Sequence, residues 1–212
     1  MKPTSESARR DRILDAAAVV FAENGFAGSR VDEIAARAGI NKAMLYYHVG
    51  DKTALYTAVL LRNFQRVRSA IDQALAAEGA PRRRLEAVIT ALTTMVQSYP
   101  DHPRIMLREI ASGAANLEPD VVVAMLEVVG VVRDLIAEGT AAGEFRELDP
   151  VLTHLTLVGA VLFLNAMAPI RERAAALGPD FSLPEPASDI AGFLNHMLLD
   201  GLASQPTSGG GS

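Results

Sequence analysis

Lys42, Tyr46, Tyr47 and His48 crowd one short stretch, with Arg30 twelve residues before it and Lys52 four residues after it. An ammonium, a guanidinium, two phenols and an imidazole are donors for phosphate oxygens, and Ala43 among them is small enough to let a backbone approach base edges or a thymine methyl. Nothing in the stretch pairs a nucleophile with a base. The chemistry these residue types suit is recognition of a nucleic acid, not turnover.

Such side chains need rigid elements to aim them. Ser29, with Asp32 three residues later, predicts a capped helix start, and Asp32 and Glu33 suit the positive end of its dipole. Val31, Ile34, Ala35 and Ala38 share one face of that helix, and Gly39 ends it. Asn41 is placed to cap a second helix, with Met44 and Leu45 inward and Lys42, Ala43, Tyr46, Tyr47 and His48 outward or at its edges. In a helix-turn-helix that second helix lies in the major groove while the first crosses the backbone. Spacing alone equally admits an ordinary helical hairpin with Tyr46 and Tyr47 half buried.

The stretch closely resembles the DNA-binding domain of TetR-type transcriptional regulators. Gly39-Ile40-Asn41 and Leu45-Tyr46-Tyr47-His48-Val49 match the family's pattern, and Lys52 falls in the expected place. Asn41 replaces a common Ser and Val49 a common Phe, both keeping the physical role, and residues 12–40 are similar to the family's first two helices throughout. The resemblance implies a DNA-binding set of Ser29, Arg30, Asn41, Lys42, Ala43, Tyr46, Tyr47, His48 and Lys52. It also implies a double-stranded, palindromic operator bound by a homodimer, which pairs through the last two long helices of each subunit. A small-molecule effector would release it, most simply as a repressor.

The rest of the chain fits that frame. Half of the 212 residues are hydrophobic and no strand-like alternation appears, so the fold class expected is all-α: a three-helix head on a larger helical bundle, about nine or ten helices in all. The divisions expected are residues 1–50 for the head, 51–203 for effector binding and dimerisation, and 204–212 for a flexible tail ending Ser-Gly-Gly-Gly-Ser. Residues 1 to 68 hold 11 Lys and Arg against 7 Asp and Glu, and the remainder 9 against 18, so the positive charge coincides with the motif. Arg9, Arg10 and Arg12 either touch phosphates or serve solubility.

Along the chain, a first helix over about Ala8 to Asn24 stops at Gly25, and Asp51 caps a long helix to about Ala77. Further helices are expected over Arg82 to Gln97, Arg104 to Ala111, Asp120 to Glu138 (apolar around most of its circumference and so central) and Val151 to Met167, the last ending before Pro169. After Pro179, Pro184 and Pro186, Ser188 caps a final helix to about Leu202. The run Val151 to Ile170 is apolar enough to mimic a membrane span, but Thr153, His154, Thr156 and Asn165 argue against one. The N-terminus lacks a secretory signal's apolar core, so a cytoplasmic location is expected.

An enzyme is not expected. The absence of cysteine excludes thiolate metal sites, and His102, His154 and His196 have no partner at metal-binding spacing, a buried hydrogen-bonded role being expected of each; no cofactor, metal or catalytic residue is assigned. Phe64, Met95, Met106, Met125, Phe163 and Asn165 are the candidates to line an effector pocket, although Met and Phe also fill ordinary cores. The rival expectation is a small-molecule-binding or enzymatic helical body with a non-functional head.

Overall fold

The computed structural model describes residues 5–76, 78–181 and 189–202. Ala77 as the end of the fourth helix, Pro184 and Pro186, the cap Ser188 and the tail from Ser204 lie outside the described residues. Within them the chain forms ten α-helices and one 3-10 turn, in two compact units. The first unit takes residues 1–66 and 99–125, the second 67–98 and 126–212, so the unit around the motif is larger than the segment 1–50 and draws in residues far along the chain.

In the first unit, α1 (Ser5–Gly28) is broken at Gly25, whose φ of 69° and ψ of 177° only glycine adopts easily. Ile13, Leu14, Ala17, Val20 and Phe21 line its buried face. α2 (Val31–Ala38) buries Val31, Ile34 and Ala35 and ends at Gly39, left-handed at φ 69°, with the Ile40 amide donating back to the Ala35 carbonyl at 3.0 Å. α3 (Lys42–Val49) and the start of α4 (Lys52–Leu75) follow. α6 (Asp101–Ala111) starts three residues earlier than the sequence predicts, because Pro103 falls in the first turn, where its missing N–H costs nothing. Phe21, Phe26 and Tyr56 pack edge-to-face and stacked at the centre of this unit, their ring centroids 4.7 to 6.4 Å apart.

The second unit holds α5 (Pro81–Ser98), most of α7 (Pro119–Ala141), α8 (Pro150–Ala166), α9 (Ala168–Ala175) and α10 (Asp189–Leu202). α8 packs against α5 and α10, and α5 against α10. Leu85, Ile89, Val132, Leu157, Val161, Leu194 and Leu199 form the core. Glu144 accepts the Arg82 amide at 2.9 Å at the start of α5, and Asp149 caps α8 by accepting from the Leu152 amide at 2.8 Å.

Two sequence expectations are corrected. α7 is not sheathed on all sides: Val121, Val128, Val132 and Leu135 are buried, but Val123 and Leu126 are more than half exposed. Beyond α8 the chain continues as α9 after a bend of 41°, with Pro169 in the new first turn instead of ending the helical stretch. No single helix among the described residues is long and apolar enough to cross a membrane; the bent pair α8 and α9 together reach the necessary length and composition.

Candidate nucleic-acid interface

α3 is held by its own ends and one anchor. The Asn41 carboxamide accepts the Met44 amide at 2.8 Å, Leu45 is fully buried, and Gly50 closes the helix so that Asp51 can accept the Ala54 amide, again at 2.8 Å, and start α4. With Leu45 fixed inward, helical periodicity turns Lys42, Ala43, Tyr46 and Tyr47 outward; Tyr47 is 82% exposed. His48 is half buried, its ring edge-on to Tyr47 at 5.3 Å and its Nε2 without a hydrogen-bond partner. A short helix therefore displays Tyr47 and a cation to solvent, with Tyr46 42% exposed, so the half-buried hairpin fails at Tyr47.

The surrounding cations are differently engaged. Lys42 Nζ lies 3.0 and 3.1 Å from the two Asp32 carboxylate oxygens, and that partner holds its pKa above the ordinary lysine value. Arg37 meets Glu23 and, more loosely, Glu33. Lys52 donates to the Ala27 carbonyl at 3.4 Å and sits 4.7 Å from the Phe26 ring centre. Arg30, at the N-cap position of α2, is exposed and has no ion pair among the described residues. Exposed pairs of this kind are worth roughly 0–1 kcal/mol, so they yield readily to a phosphate.

Ser29 corrects the sequence analysis. It is buried, and its hydroxyl donates to the Gly25 carbonyl at 2.6 Å and lies 3.2 Å from that of Val20. It does not cap α2, which has no side-chain cap. The break at Gly25 frees carbonyls that the hydroxyl satisfies, and this turns Ser29 away from any ligand surface.

Elsewhere in this unit lies a polar network whose partners the sequence does not predict. Buried Tyr56 on α4 donates to the Glu109 carboxylate on α6 at 2.6 Å, and Asn116 donates to the same carboxylate through its side chain at 3.0 Å and its backbone at 3.3 Å. Burial, then the bond to Glu109, pushes the Tyr56 phenol well above its ordinary pKa. The neighbouring Arg108 reaches the other way, donating to the Ala22 and Glu23 carbonyls at 3.2 and 2.9 Å near the end of α1. Two adjacent α6 residues thus tie α4 and α1. Sequence separations of 53 and more hide such pairs from local pattern analysis.

The six effector-pocket candidates divide between the units. Phe64 and Met106 are buried and Met125 half buried in the first; Met95 is buried in the second, where Phe163 is 58% exposed and Asn165 donates to the Val161 carbonyl of its own helix. An open cleft of about 400 Å³ is lined by Arg146, Asp149, Leu152, Thr156, Met197 and Leu202, and another of about 470 Å³ by Asp51, Thr57, Glu118 and Asp120; none of the six lines either. His102 and His154 are buried, but each leaves Nδ1 without a partner, and His196 is exposed and paired with Asp200 at 2.8 Å, which corrects the expectation of three buried, bonded histidines. Among the described residues no cluster of His, Cys, Asp or Glu could hold a metal.

Comparisons with known proteins fit this geometry. Residues 13–59 match the family described as bacterial regulatory proteins, tetR family, and residues 78–165 match a tetracyclin repressor-like C-terminal domain. Over 172 residues the chain is 31% identical to the HTH-type transcriptional activator FasR of Mycolicibacterium smegmatis, covering 80% of this chain and 78% of that protein. Over 195 residues it is 28% identical to the HTH-type transcriptional repressor NicS of Pseudomonas putida, covering 91% and 92%. The ketosteroid transcriptional regulator KstR2 of Mycobacterium tuberculosis shares the fold, with a TM-score of 0.73 at 20% identity over 93% of this chain and 96% of that one. An all-α chain matched over residues 13–59 and 78–165 by models of one family, and 31% identical to a curated member across most of its length, is a DNA-binding transcriptional regulator and not an enzyme: it belongs to the TetR family.

Proposed function

We propose that the protein is a cytoplasmic, ligand-released repressor that binds a palindromic operator as a homodimer. The observation that carries this reading is α3, capped by Asn41, pinned by Leu45 and presenting Ala43, Tyr46 and Tyr47 for base edges with Lys42 for phosphate. Arg30, Asn41, His48 and Lys52 flank it as backbone contacts, Lys52 lying in the first turn of α4, where free amides favour an anion. Ser29 acts behind them by holding the end of α1.

Dimerisation is supported by the second unit. α8 exposes Leu152, Leu155 and Phe163, and α10 exposes Phe193 and Met197. Gly159, Gly192 and Gly201 on these helices have open space beyond them, so a second copy could approach closely. Two recognition helices related by a two-fold axis read half-sites about one helical turn, or a multiple of it, apart. A small-molecule effector would favour a state in which α4 tilts and the two α3 helices no longer match the operator.

Selection of fragments from a genomic DNA pool by the purified protein, at two salt concentrations, tests the reading. Enrichment of a palindrome whose affinity falls with salt is the expected result. A folded dimer that enriches nothing at either salt would overturn it.

A further inference from the structure

We infer that Asp32 competes with the DNA backbone for Lys42, so that a single exposed carboxylate on α2 sets how strongly the protein binds DNA of any sequence. The inference rests on the assignment of Lys42 to a phosphate. Lys42 is the first residue of α3, at the positive end of that helix, where a cation is disfavoured unless an anion stands beside it. Asp32, from the first turn of α2, supplies that anion with both carboxylate oxygens within 3.1 Å of Nζ. Neither side chain is buried: Lys42 is 49% and Asp32 69% exposed, so the pair stands at the same surface as Tyr46 and Tyr47.

A phosphate arriving at α3 would find its ammonium already occupied by two oxygens. Engaging Lys42 then exchanges one anion for another and leaves Asp32 unpaired beside a polyanion, which recruits a cation in compensation. The net release of counterions falls by about one, and the slope of log affinity against log salt is shallower by about 0.9 than the number of cations at the surface implies. Arg30, which has no carboxylate partner, carries no such deduction.

The test compares the full-length protein with D32N, K42A and the double variant on a random-sequence duplex across a salt series, with circular dichroism melting of each as the folding control. D32N is expected to bind about two- to fivefold more tightly at low salt, the range an exposed ion pair represents, with a slope steeper by about 0.9. K42A is expected to bind more weakly, and D32N in the K42A background to gain less than half of what it gains beside Lys42, since only the repulsion of an already unpaired carboxylate is left to remove. D32S, which keeps an acceptor near the start of α2, repeats the measurement should D32N melt early. Unchanged or weaker binding by both Asp32 variants overturns the competition. A gain of the same size in the K42A background overturns it too, since Asp32 would then repel DNA directly. Unchanged binding by K42A alone sinks the assignment of Lys42 to a phosphate, a separate failure.

Discussion

Around α3 the exposed groups are a lysine, two tyrosines and an arginine, while Tyr56, Glu109 and His102 of the same unit are drawn inside. In the second unit the weight shifts: its core is mostly aliphatic, with Thr93, Phe145 and His154 buried among the aliphatic side chains, and Leu152, Leu155, Phe163, Phe193 and Met197 face outward. Each surface matches its partner in chemistry. On the proposed reading, a polyanion is met by donors that trade ion pairs at little cost, whereas a second copy of the chain would be met by apolar area that gains free energy only when covered.

The largest expected effect would break this contrast in the second unit. Placing charge on the exposed α8 face with L152E and L155E should weaken self-association at least about 100-fold, as buried unpaired charges cost several kcal/mol, while leaving each chain folded, because neither side chain is in the core. Sedimentation at a series of concentrations reads this, and a double variant that stays dimeric rules out α8 as the interface.

In the first unit the interior is the sensitive place. His102 is buried against the edge of Phe64, and burial, with the nearby Arg66 charge adding to it, lowers its pKa to about 4. Above the ordinary histidine range folded and unfolded chains are both neutral there. As pH falls through about 6.5 the unfolded chain takes up a proton that the folded one refuses, so this stability is lost between about 6.5 and 4, reaching about 3 kcal/mol. Urea melts of the wild type and H102Q should diverge in pH dependence over that window; parallel curves would show that His102 is not held neutral.

Y56F sharpens the comparison at a smaller scale. Removing the phenol oxygen leaves Glu109 with Asn116 alone and should cost about 1–2 kcal/mol. Hydrogen exchange on α4 should rise with it, and no change in either would mean that the bond is replaced by solvent. The smallest effect should be the same in both units: N41A in one and D149A in the other each remove a 2.8 Å cap and should each cost about 1 kcal/mol in thermal melts. A cap worth much more in one unit would show that tertiary packing leans on it there.

That equality bears on what was legible in the sequence. Asn41, Asp51 and Asp149 were readable because a cap needs only an acceptor and an amide three residues on, and Gly25 and Gly39 because a left-handed residue ends a helix wherever it occurs. Ser29 has the same local signature and was misread, since its hydroxyl is captured by carbonyls that the kink in α1 brings to it. Pro169 reads as a terminator, yet a proline also starts helices, and α9 leaves no signal of its own in the pattern. The exposed α3 residues followed from Leu45 facing inward; the ties from Arg108 to α1 and from Glu109 to Tyr56 are long-range and left no periodic trace.

The placement of the aromatic rings gives the molecule an optical consequence. The chain has no tryptophan and four tyrosines, so near-ultraviolet emission comes from phenols alone. Tyr46 and Tyr47 lie exposed on α3, while Tyr56 is locked in the interior beside a carboxylate and Tyr99 stacks with the Arg66 guanidinium. Half of the intrinsic fluorophores therefore stand where DNA would dock, and an unlabelled titration should report occupancy of the recognition helix directly as a change in tyrosine emission.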